Sequence, residues 1–423
     1  MEKEIRIILK EFIDTKREIV ERDLKIKAFK NKAVSIIGPR RAGKTYFLLY
    51  HFQKMIEEGK NAVFFPLDDD RIFPPSLKTI QTMIKISKEL YPDGKITYFF
   101  DEIQEVKGWE LAVKRLVEKE GERVFISGSS SKLLSKEIAT QLRGRTLSYE
   151  LFPFSFKELI HAKNISYGKF MSEREIAKIR KSLRKYLFWG GFPEIVLHNE
   201  EKEKILDEYF NTMIYRDLIE RYNIRNYIGI KLFLKLAINS FSSRFSINKT
   251  LKYFSNQSIS ISKNTLYDFL EYAKDAYILF PIKKFSYSLK ETEQSIPKMY
   301  IIDNGFAHVL SFKISENIGR LLENLVFLEL RKKFGQNIYY FQSKEGYEVD
   351  FLIWGNKKEL IQVSYVSRYD EIDRREIRAL KKAASLLKCK KLTCITWDYE
   401  DTKRFNNMSI SFIPAWKWFL GLI

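Results

Sequence analysis

Eight residues near the amino end read Gly-Pro-Arg-Arg-Ala-Gly-Lys-Thr and fit the pattern G-x-x-x-x-G-K-[ST]. Glycines in such a loop let backbone N–H groups turn inward around phosphate oxygens. In this pattern Lys44 reaches the β- and γ-phosphates of a nucleotide, and the Thr45 hydroxyl ligates Mg²⁺. The sequence therefore predicts a nucleotide-phosphate site. The other members of the loop are Gly38, Pro39, Arg40, Arg41, Ala42 and Gly43.

The elements on either side of the loop favour this interpretation. Residues 33–37 predict a short buried strand, and residues 46–56 predict a helix. The helix would direct its positive amino-terminal end at the same phosphates. A glycine-rich turn with chance spacing is the alternative, and it does not account for the strand and the helix.

A second signal is a pair of acidic residues that follows an apolar run. Residues 96–100 predict a buried strand that ends directly at Asp101 and Glu102. In P-loop enzymes an acid at the end of such a strand binds Mg²⁺ near the phosphates. A second acid directly after it is placed to deprotonate the attacking water. We therefore expect Asp101 to be the metal-side acid and Glu102 the general base.

Two further features fit hydrolysis, and each has a plainer alternative. Ser129 ends the next predicted strand within a serine run, where it would sense the γ-phosphate unless the run is only a turn. Arg143 and Arg145 flank a glycine, and one of them would serve as an arginine finger within the chain or on a neighbouring subunit. A solvated turn or a structural ion pair is the alternative. We favour Arg145, and its action on a neighbour predicts a homo-oligomer.

Strands and helices alternate through residues 1–150, which is typical of a parallel sheet covered by helices on both faces. Residues 2–30 predict a helical lead-in. The later predicted strands are 61–67, 96–100 and 123–129, and the later helices are 77–90 and 109–120. The fold class predicted for this segment is α/β.

The blocks GPRRAGKT, YFFDEIQ, FISGSSS, LRGRT and LFPFSFKEL, with FWGGFPE further on, resemble a family of archaeal and bacterial AAA+-type ATPases. Members of that family carry a C-terminal domain similar to restriction-type nucleases. The resemblance covers essentially the whole chain. It implies an AAA+-like P-loop fold that binds ATP rather than GTP, with Mg²⁺ as the cofactor. It also implies that the helical segment 151–228 is the lid that follows an AAA+ core.

Residues 229–312 show a different pattern. Helices are predicted at 232–241, at 248–254 and after Ser262, followed by strands at 277–287 and 298–302. Three short helices and a hairpin are typical of a winged helix-turn-helix, whose third helix lies in the recognition position. We expect these basic, polar and aromatic residues to contact DNA: Lys263, Asn264, Thr265, Tyr267, Lys283 and Lys284. A protein–protein module is the alternative.

Residues 313–423 predict the order α-β-β-β-α-β, which is similar to the restriction-endonuclease core. Active members of that fold gather a helix acid, a strand Asp and a Glu-x-Lys or Gln-x-Lys pair around Mg²⁺. The matching positions are Glu323, Asp350, Gln362 and Ser364. Serine has no cationic nitrogen, and Lys344 is a candidate replacement. We therefore expect metal ligands at the first three positions and a domain that holds DNA or a partner without cutting it.

The bulk composition limits the partners and the compartment. The 423 residues are 45% hydrophobic, which excludes a disordered chain, and carry a formal net charge of +20. A charge that large favours a polyanionic partner such as DNA, although a Lys- and Glu-rich thermophilic surface is the alternative. Cys389 and Cys394 lack zinc spacing, and no run of about 18 apolar residues predicts a membrane span. These features predict a cytoplasmic protein with no membrane contact.

Together these patterns predict a Mg²⁺-dependent ATPase whose nucleotide cycle moves a DNA-binding winged helix and a nuclease-like domain. One alternative is a nucleotide-switched signalling or scaffold protein without a DNA substrate. Another is an active, ATP-regulated nuclease.

Overall fold

A computed structural model describes residues 1–27, 29–128, 142, 144–198, 200–310, 318–355, 358–405 and 407–422. The chain divides into two units, Met1–Pro153 and Phe154–Ile423. Within the described ranges, every helix is too short or too polar to cross a bilayer.

The first unit is built on a parallel sheet in the order β2-β3-β4-β1-β5. Four of its strands, β1 to β4, are mainly apolar and buried along nearly their whole length, as expected when helices cover both faces of a sheet. The edge strand β5 is polar and only partly buried. This confirms the predicted P-loop type of α/β fold. The strands are β1 (Ala33–Ile37), β2 (Ala62–Pro66), β3 (Thr97–Asp101), β4 (Arg123–Ser127) and β5 (Thr146–Glu150).

Helices cover the two faces of this sheet. Phe52 and Phe64 belong to the core on one face, and Met83 and Phe100 belong to the core on the other. The helices are α1 (Glu2–Asp14), α2 (Lys44–Glu57), α3 (Leu77–Leu90) and α4 (Trp109–Lys114), the last continuing as a π-helical turn, Arg115–Glu120.

The helical lead-in predicted for residues 2–30 is wrong beyond α1. Thr15 is already extended, with φ −96° and ψ 110°, and no helix follows among the described residues before β1. The periodic apolar residues Ile5, Ile8 and Leu9 end with α1 and are buried in the core. The segment after them is non-helical, and Ile19, Leu24 and Ile26 pack against the core from it. Its place in the fold therefore depends on long-range contacts rather than on a helical face.

The second unit begins with helices. They are α5 (Phe156–Ala162), α6 (Glu173–Trp189), α7 (Pro193–Leu197) and α8 (Lys202–Thr212), the last continuing as a π-helical turn, Met213–Glu220. The Gly-Gly turn between α6 and α7 encloses the buried Asp303. The Gly191 N–H donates to its Oδ2 at 2.6 Å, and the Gly305 N–H donates to its Oδ1 at 2.8 Å. These hydrogen bonds therefore fix the turn against Asp303.

A three-stranded antiparallel sheet follows, in the order β6-β8-β7. Ser262 caps its helix as predicted, because its Oγ accepts the Thr265 N–H at 3.0 Å. The elements run helix, strand, helix, helix, strand, helix, strand: α9 (Tyr227–Asn239), β6 (Ser243–Arg244), α10 (Ile247–Asn256), α11 (Lys263–Asp275), β7 (Leu279–Ile282), α12 (Leu289–Gln294) and β8 (Lys298–Ile301).

The strand predicted at 277–287 is shorter in the structure, because the chain leaves β7 to join another sheet. The Tyr340 N–H donates to the Lys283 carbonyl at 3.1 Å, and the Phe285 N–H donates to the Tyr340 carbonyl at 2.8 Å. Phe285 also packs on Trp354, with ring centroids 4.2 Å apart. The segment after β7 is thus bound to the carboxyl-terminal sheet.

That last sheet is mixed, with the order β13-β14-β12-β11-β10-β9. The predicted order α-β-β-β-α-β is found, whereas the final hairpin and helix were missed because β13 is mostly exposed and polar. The elements are α13 (Asn304–Leu310), α14 (Ile318–Phe334), β9 (Ile338–Gln342), β10 (Glu348–Ile353), β11 (Glu359–Ser364), α15 (Arg374–Leu387), β12 (Lys391–Thr396), β13 (Asp401–Phe405), β14 (Met408–Pro414) and α16 (Ala415–Leu420).

We predict that Gly190→Ala destabilises the protein by about 3 kcal/mol or more. Gly190 has φ +73°, and a Cβ there would overlap the Asp303 carboxylate. Gly168→Ala is the matched control, since a Cβ at Gly168 meets no atom within 4 Å, and its effect should stay within about 0.5 kcal/mol. Denaturant unfolding measures both. Equal stabilities of the two variants would contradict the conclusion that close packing on Asp303 requires a glycine at position 190.

Candidate nucleotide site and carboxylate cluster

The loop between β1 and α2 lies against the chain that leaves β5. The Leu151 N–H donates to the Ile37 carbonyl at 2.8 Å, and a Cβ on Gly38 would overlap the Leu151 carbonyl oxygen. Gly43 precedes α2 with φ +90°, in the left-handed region that glycine adopts without strain. Both glycines of the motif are therefore required by the backbone path.

Lys44 lies inside this loop. It is 6% exposed, and its Nζ donates to the carbonyls of Gly38 at 3.0 Å and Pro39 at 2.9 Å. An ammonium group that binds neutral carbonyls can exchange them for the negative oxygens of a phosphate. The loop thus holds its lysine in position for the predicted role.

Asp101 ends β3 and is buried at the same edge of the sheet. The Ser127 hydroxyl, at the end of β4, donates to its Oδ1, and the Thr45 side chain is a further hydrogen-bond partner. Burial and the neighbouring Glu102 raise the pKa of Asp101 to about 6, against the lowering effect of these hydroxyls. Its negative charge is only partly compensated, so the position fits a bound cation.

Glu102 has an unusual backbone conformation for a glutamate, with φ +51°. Its N–H donates to the Ser127 Oγ at 3.3 Å, and its carboxylate accepts a hydrogen bond from the Gln104 side chain. Left-handed backbone at a non-glycine residue costs on the order of 1 kcal/mol, and strained backbone of this kind is common at functional sites. Ser127 thus fixes both acids of the pair.

Sequence reasoning missed one member of this site. Arg22, in the extended segment after α1, is buried and donates to the Ala42 carbonyl at 2.9 Å and to the Phe152 carbonyl at 2.6 Å. It therefore ties the loop to the chain after β5. Only its long-range contacts reveal this, because a single arginine in a charged, aperiodic segment gives no sequence signal.

Of the three residues predicted as sensor or arginine finger, the structure describes only Arg145. Ser129 and Arg143 lie outside the described residues. Arg145 is half exposed, and its Nε lies 2.7 Å from the Glu118 Oε1. An ion pair is thus present at this position, and contact with a neighbour's phosphate stays a prediction.

The residues predicted to contact DNA lie in two environments. Lys263, Asn264 and Tyr267 are exposed on α11, whereas the Thr265 hydroxyl lies 2.9 Å from the Ser262 Oγ in the cap. Asp268 and Glu271 are exposed on the same helix.

The two predicted wing lysines belong to the segment that joins the carboxyl-terminal sheet. Lys283 forms an ion pair with Glu293. The Lys284 N–H donates to the Ser295 Oγ at 3.0 Å. A role of both lysines in DNA binding stays a prediction.

The second unit brings together the four positions matched to the restriction-endonuclease core: Glu323 on α14, Asp350 on β10, and Gln362 and Ser364 on β11. All four are at least 92% buried. The Asp350 Oδ2 accepts the Val363 N–H at 3.0 Å, and the Gln362 Oε1 accepts the Asp350 N–H at 3.3 Å.

We call the acids Glu323, Glu348 and Asp350 the carboxylate cluster. Its cationic nitrogen belongs to Lys298 on β8. Its Nζ lies 2.8 Å from the Asp350 Oδ1, 2.8 Å from the Glu323 Oε1 and 3.3 Å from the Glu348 Oε1. The Tyr300 hydroxyl also donates to the Glu323 Oε1, at 2.6 Å. Lys344, the expected substitute, is exposed. The only sequence signal for the role of Lys298 was a charged residue at the start of an otherwise apolar predicted strand.

The electrostatics of the cluster follow from burial. Burial disfavours the charged form of Lys298, yet Asp350 and Glu323 raise its pKa above the usual value. Burial raises the pKa of Glu323 and of the neighbouring Glu376 to about 7, and Asp350 adds to both shifts. Among the described residues, no group of three or more His, Cys, Asp or Glu side chains is arranged to hold a metal ion.

Similarity to known proteins extends along the chain. Residues 30–160 match the family described as AAA domain. Residues 180–317 and 318–418 match two families that are each described as a domain of unknown function. The AAA match contains the loop, both acids and Ser127.

Two curated relatives extend the similarity. Uncharacterized protein MJ1544 of Methanocaldococcus jannaschii is 41% identical over 96% of this chain and 92% of its own length. An uncharacterized protein of Haemophilus influenzae is 28% identical over 75% of this chain and 78% of its own length.

Two solved structures are also similar. AMPPCP-bound DnaA from Aquifex aeolicus matches at 11% identity and a TM-score of 0.25, over 57% of this chain and 81% of that chain. The S. cerevisiae Hsp104–ADP complex matches at 15% identity and a TM-score of 0.29, over 64% of this chain and 38% of that chain.

The loop geometry, the strand order and the AAA match agree with one another. The identity to MJ1544 extends over nearly the whole of both chains. The chain therefore belongs to the same family as MJ1544, and its first unit is an AAA domain with the fold of a P-loop ATPase.

Proposed function

We propose that this protein is a Mg²⁺-dependent ATPase that binds DNA and moves its carboxyl-terminal unit during the nucleotide cycle. One observation carries the ATPase part. Lys44, Thr45 and Asp101 converge, with Ser127, on one edge of a parallel sheet. That edge is where P-loop enzymes bind nucleotide phosphates.

The side chains suit distinct roles in hydrolysis. Thr45 and Asp101 would hold Mg²⁺, which when bound neutralises charge on the phosphates. Lys44 exchanges its two carbonyl partners for phosphate oxygens. Glu102 takes the proton of the attacking water, and the hydrogen bonds to Ser127 and Gln104 hold it in position.

The DNA-binding part of the proposal rests on charge and topology. The net charge is +20. The three-stranded sheet and its helices follow the element order of a winged helix, apart from the added α12. Exposed Lys263 and Tyr267 on α11 suit phosphate contact and stacking.

A scaffold role without DNA is the second candidate, and one observation favours it. Asp268 and Glu271 are exposed on α11, so the helix offers a mixed charge rather than a uniformly positive face. A mixed face suits a protein partner of complementary charge better than it suits a polyanion. The salt dependence of DNA binding separates the two candidates.

The movement that we propose involves the second unit as one body. The segment after β7 pairs with β9 through its backbone, and Lys298 of β8 joins the carboxylate cluster. Both contacts would have to break before the winged-helix elements could move relative to the last sheet. ATP-driven movement is therefore expected to carry the winged-helix elements and the last sheet together.

We predict that Lys44→Ala and Glu102→Gln separate nucleotide binding from hydrolysis. Lys44→Ala should lose ATP affinity, because the phosphates lose their main cationic partner. Glu102→Gln should bind ATP normally yet turn it over about 10²-fold more slowly or worse, because an amide cannot accept the proton. Fluorescent-nucleotide binding and phosphate release measure the two effects. Wild-type turnover in Glu102→Gln would remove Glu102 as the base.

The DNA interface is expected to act mainly through phosphates, so affinity should fall steeply with salt. Replacing Lys263, Lys283 and Lys284 with Ala should flatten the slope of log K against log[salt] by about one unit for each phosphate that is no longer neutralised. A matched control removes three exposed arginines of α15: Arg374, Arg375 and Arg378. A slope that changes only in the control would move the interface to α15. No binding at low salt would favour the scaffold.

If Arg145 completes a neighbour's site, Arg145→Ala alone should lose about 10³-fold in turnover. Mixed assemblies of Arg145→Ala and Lys44→Ala chains should recover activity, because each chain supplies what the other lacks. Glu118→Gln is the control, since it releases Arg145 from its ion pair and keeps the guanidinium. A lack of recovery in verified mixed assemblies would argue against action between subunits.

A further inference from the structure

The carboxylate cluster of the second unit already contains a cation. Glu323, Glu348 and Asp350 surround the Nζ of Lys298 at 2.8–3.3 Å. Lys298 belongs to β8, whereas its partners belong to α14 and β10, so the ammonium enters the cluster from a different sheet. It is only 3% exposed.

Several oxygen atoms of the cluster are committed to hydrogen bonds. Asp350 uses Oδ1 for Lys298 and Oδ2 for the Val363 N–H. The Glu323 Oε1 binds both Lys298 and the Tyr300 hydroxyl. The amide oxygen of Gln362 accepts a backbone N–H instead of facing the centre of the cluster. A divalent ion would have to displace several of these partners.

We propose that Lys298 is the resident cation of this cluster and takes the place that a divalent metal ion would otherwise occupy. The cluster is then metal-free in the native protein and fastens β8 to the last sheet. The cluster geometry alone supports this role of Lys298, independently of the proposed ATPase activity.

Distances and charge support this replacement. Oxygen ligands lie about 2.0–2.1 Å from Mg²⁺ and about 2.3–2.6 Å from Ca²⁺, whereas the oxygens here stand at 2.8–3.3 Å, as ammonium hydrogen bonds require. A divalent ion beside Lys298 would meet like-charge repulsion in a buried place. The side chain of Glu348 is 29% exposed and has rotatable bonds, so the ligands can close on a smaller ion once the lysine is gone.

One carboxylate oxygen near the cluster lacks a hydrogen-bond partner, and a cavity borders the cluster. Burial and the charges of Asp350 and Glu323 raise the pKa of Glu376, and its buried Oε2 has no hydrogen-bond partner among the described residues. A cavity of about 480 Å³ borders the cluster at Lys298 and Glu348. Its other lining residues are Ser242, Ser243, Arg244, Ser246, Lys249 and Ile296.

The test is Mn²⁺ titration of the nucleotide-free full-length protein, followed by the paramagnetic resonance of free Mn²⁺. Every chain carries Asp101→Asn, which removes the carboxylate ligand of the predicted nucleotide-metal site. The parent chain should bind no Mn²⁺ at the cluster. Lys298→Met should bind one Mn²⁺ per chain at the cluster. Adding Asp350→Asn should abolish that binding.

Stability provides a second measurement, because Lys298→Met leaves buried carboxylates without their cationic partner. Its melting temperature should fall and then recover with Mn²⁺, since a ligand that binds only the folded state stabilises it. The neutral set Lys298→Met, Glu323→Gln, Asp350→Asn should fold without metal.

Four outcomes would overturn the proposal. The first is Mn²⁺ binding by the parent that Asp350→Asn removes. The second is a folded Lys298→Met chain that binds no Mn²⁺. The third is a destabilised Lys298→Met chain that Mn²⁺ does not rescue. The fourth is failure of the neutral set to fold, because the lysine would then do more than balance two carboxylates.

Discussion

A buried carboxylate must be given partners, and the first unit is arranged around supplying them to Asp101. Its strand, β3, ends beside β4, which contributes the Ser127 hydroxyl, and the loop after β1 contributes Thr45. Hydroxyl groups are weak partners for a buried charge, so the pKa of Asp101 stays raised at about 6. The same edge therefore stays receptive to a cation, and this is the physical basis for placing Mg²⁺ and nucleotide phosphates there.

The second unit solves the same problem in two other ways. Asp303 accepts the Gly191 N–H of the glycine turn and the Gly305 N–H of α13, and the result is a rigid joint between helices. Asp350 and Glu323 receive an ammonium group from Lys298, and the result is a joint between two sheets. A joint built from fixed partners transmits movement without deforming. These contacts are why we expect the second unit to respond to the nucleotide as one body.

Sequence patterns were sufficient wherever neighbours along the chain carry the signal. The P-loop and the acid pair could be predicted because each is a short motif whose spacing reports local geometry. The four positions matched to the restriction-endonuclease core came instead from the resemblance to a whole fold, since they belong to three separate elements. Arg22 was missed because its partners lie 20 and 130 positions away, and Lys298 because its partners lie 25 to 52 positions away. No periodic pattern encodes such distances. The lead-in helix was drawn too long for a related reason, since charged residues permit a helix without requiring one.

The central claim is that Asp101 serves a metal-dependent hydrolysis of ATP. The most direct measurement is a single-turnover experiment, in which release of labelled phosphate from ATP is followed with Mg²⁺ and with EDTA. The account predicts release that requires Mg²⁺ in the wild-type chain and falls at least about 10²-fold in Asp101→Asn, while ATP remains bound. Release at the same rate in EDTA, or unchanged release by Asp101→Asn, would contradict it.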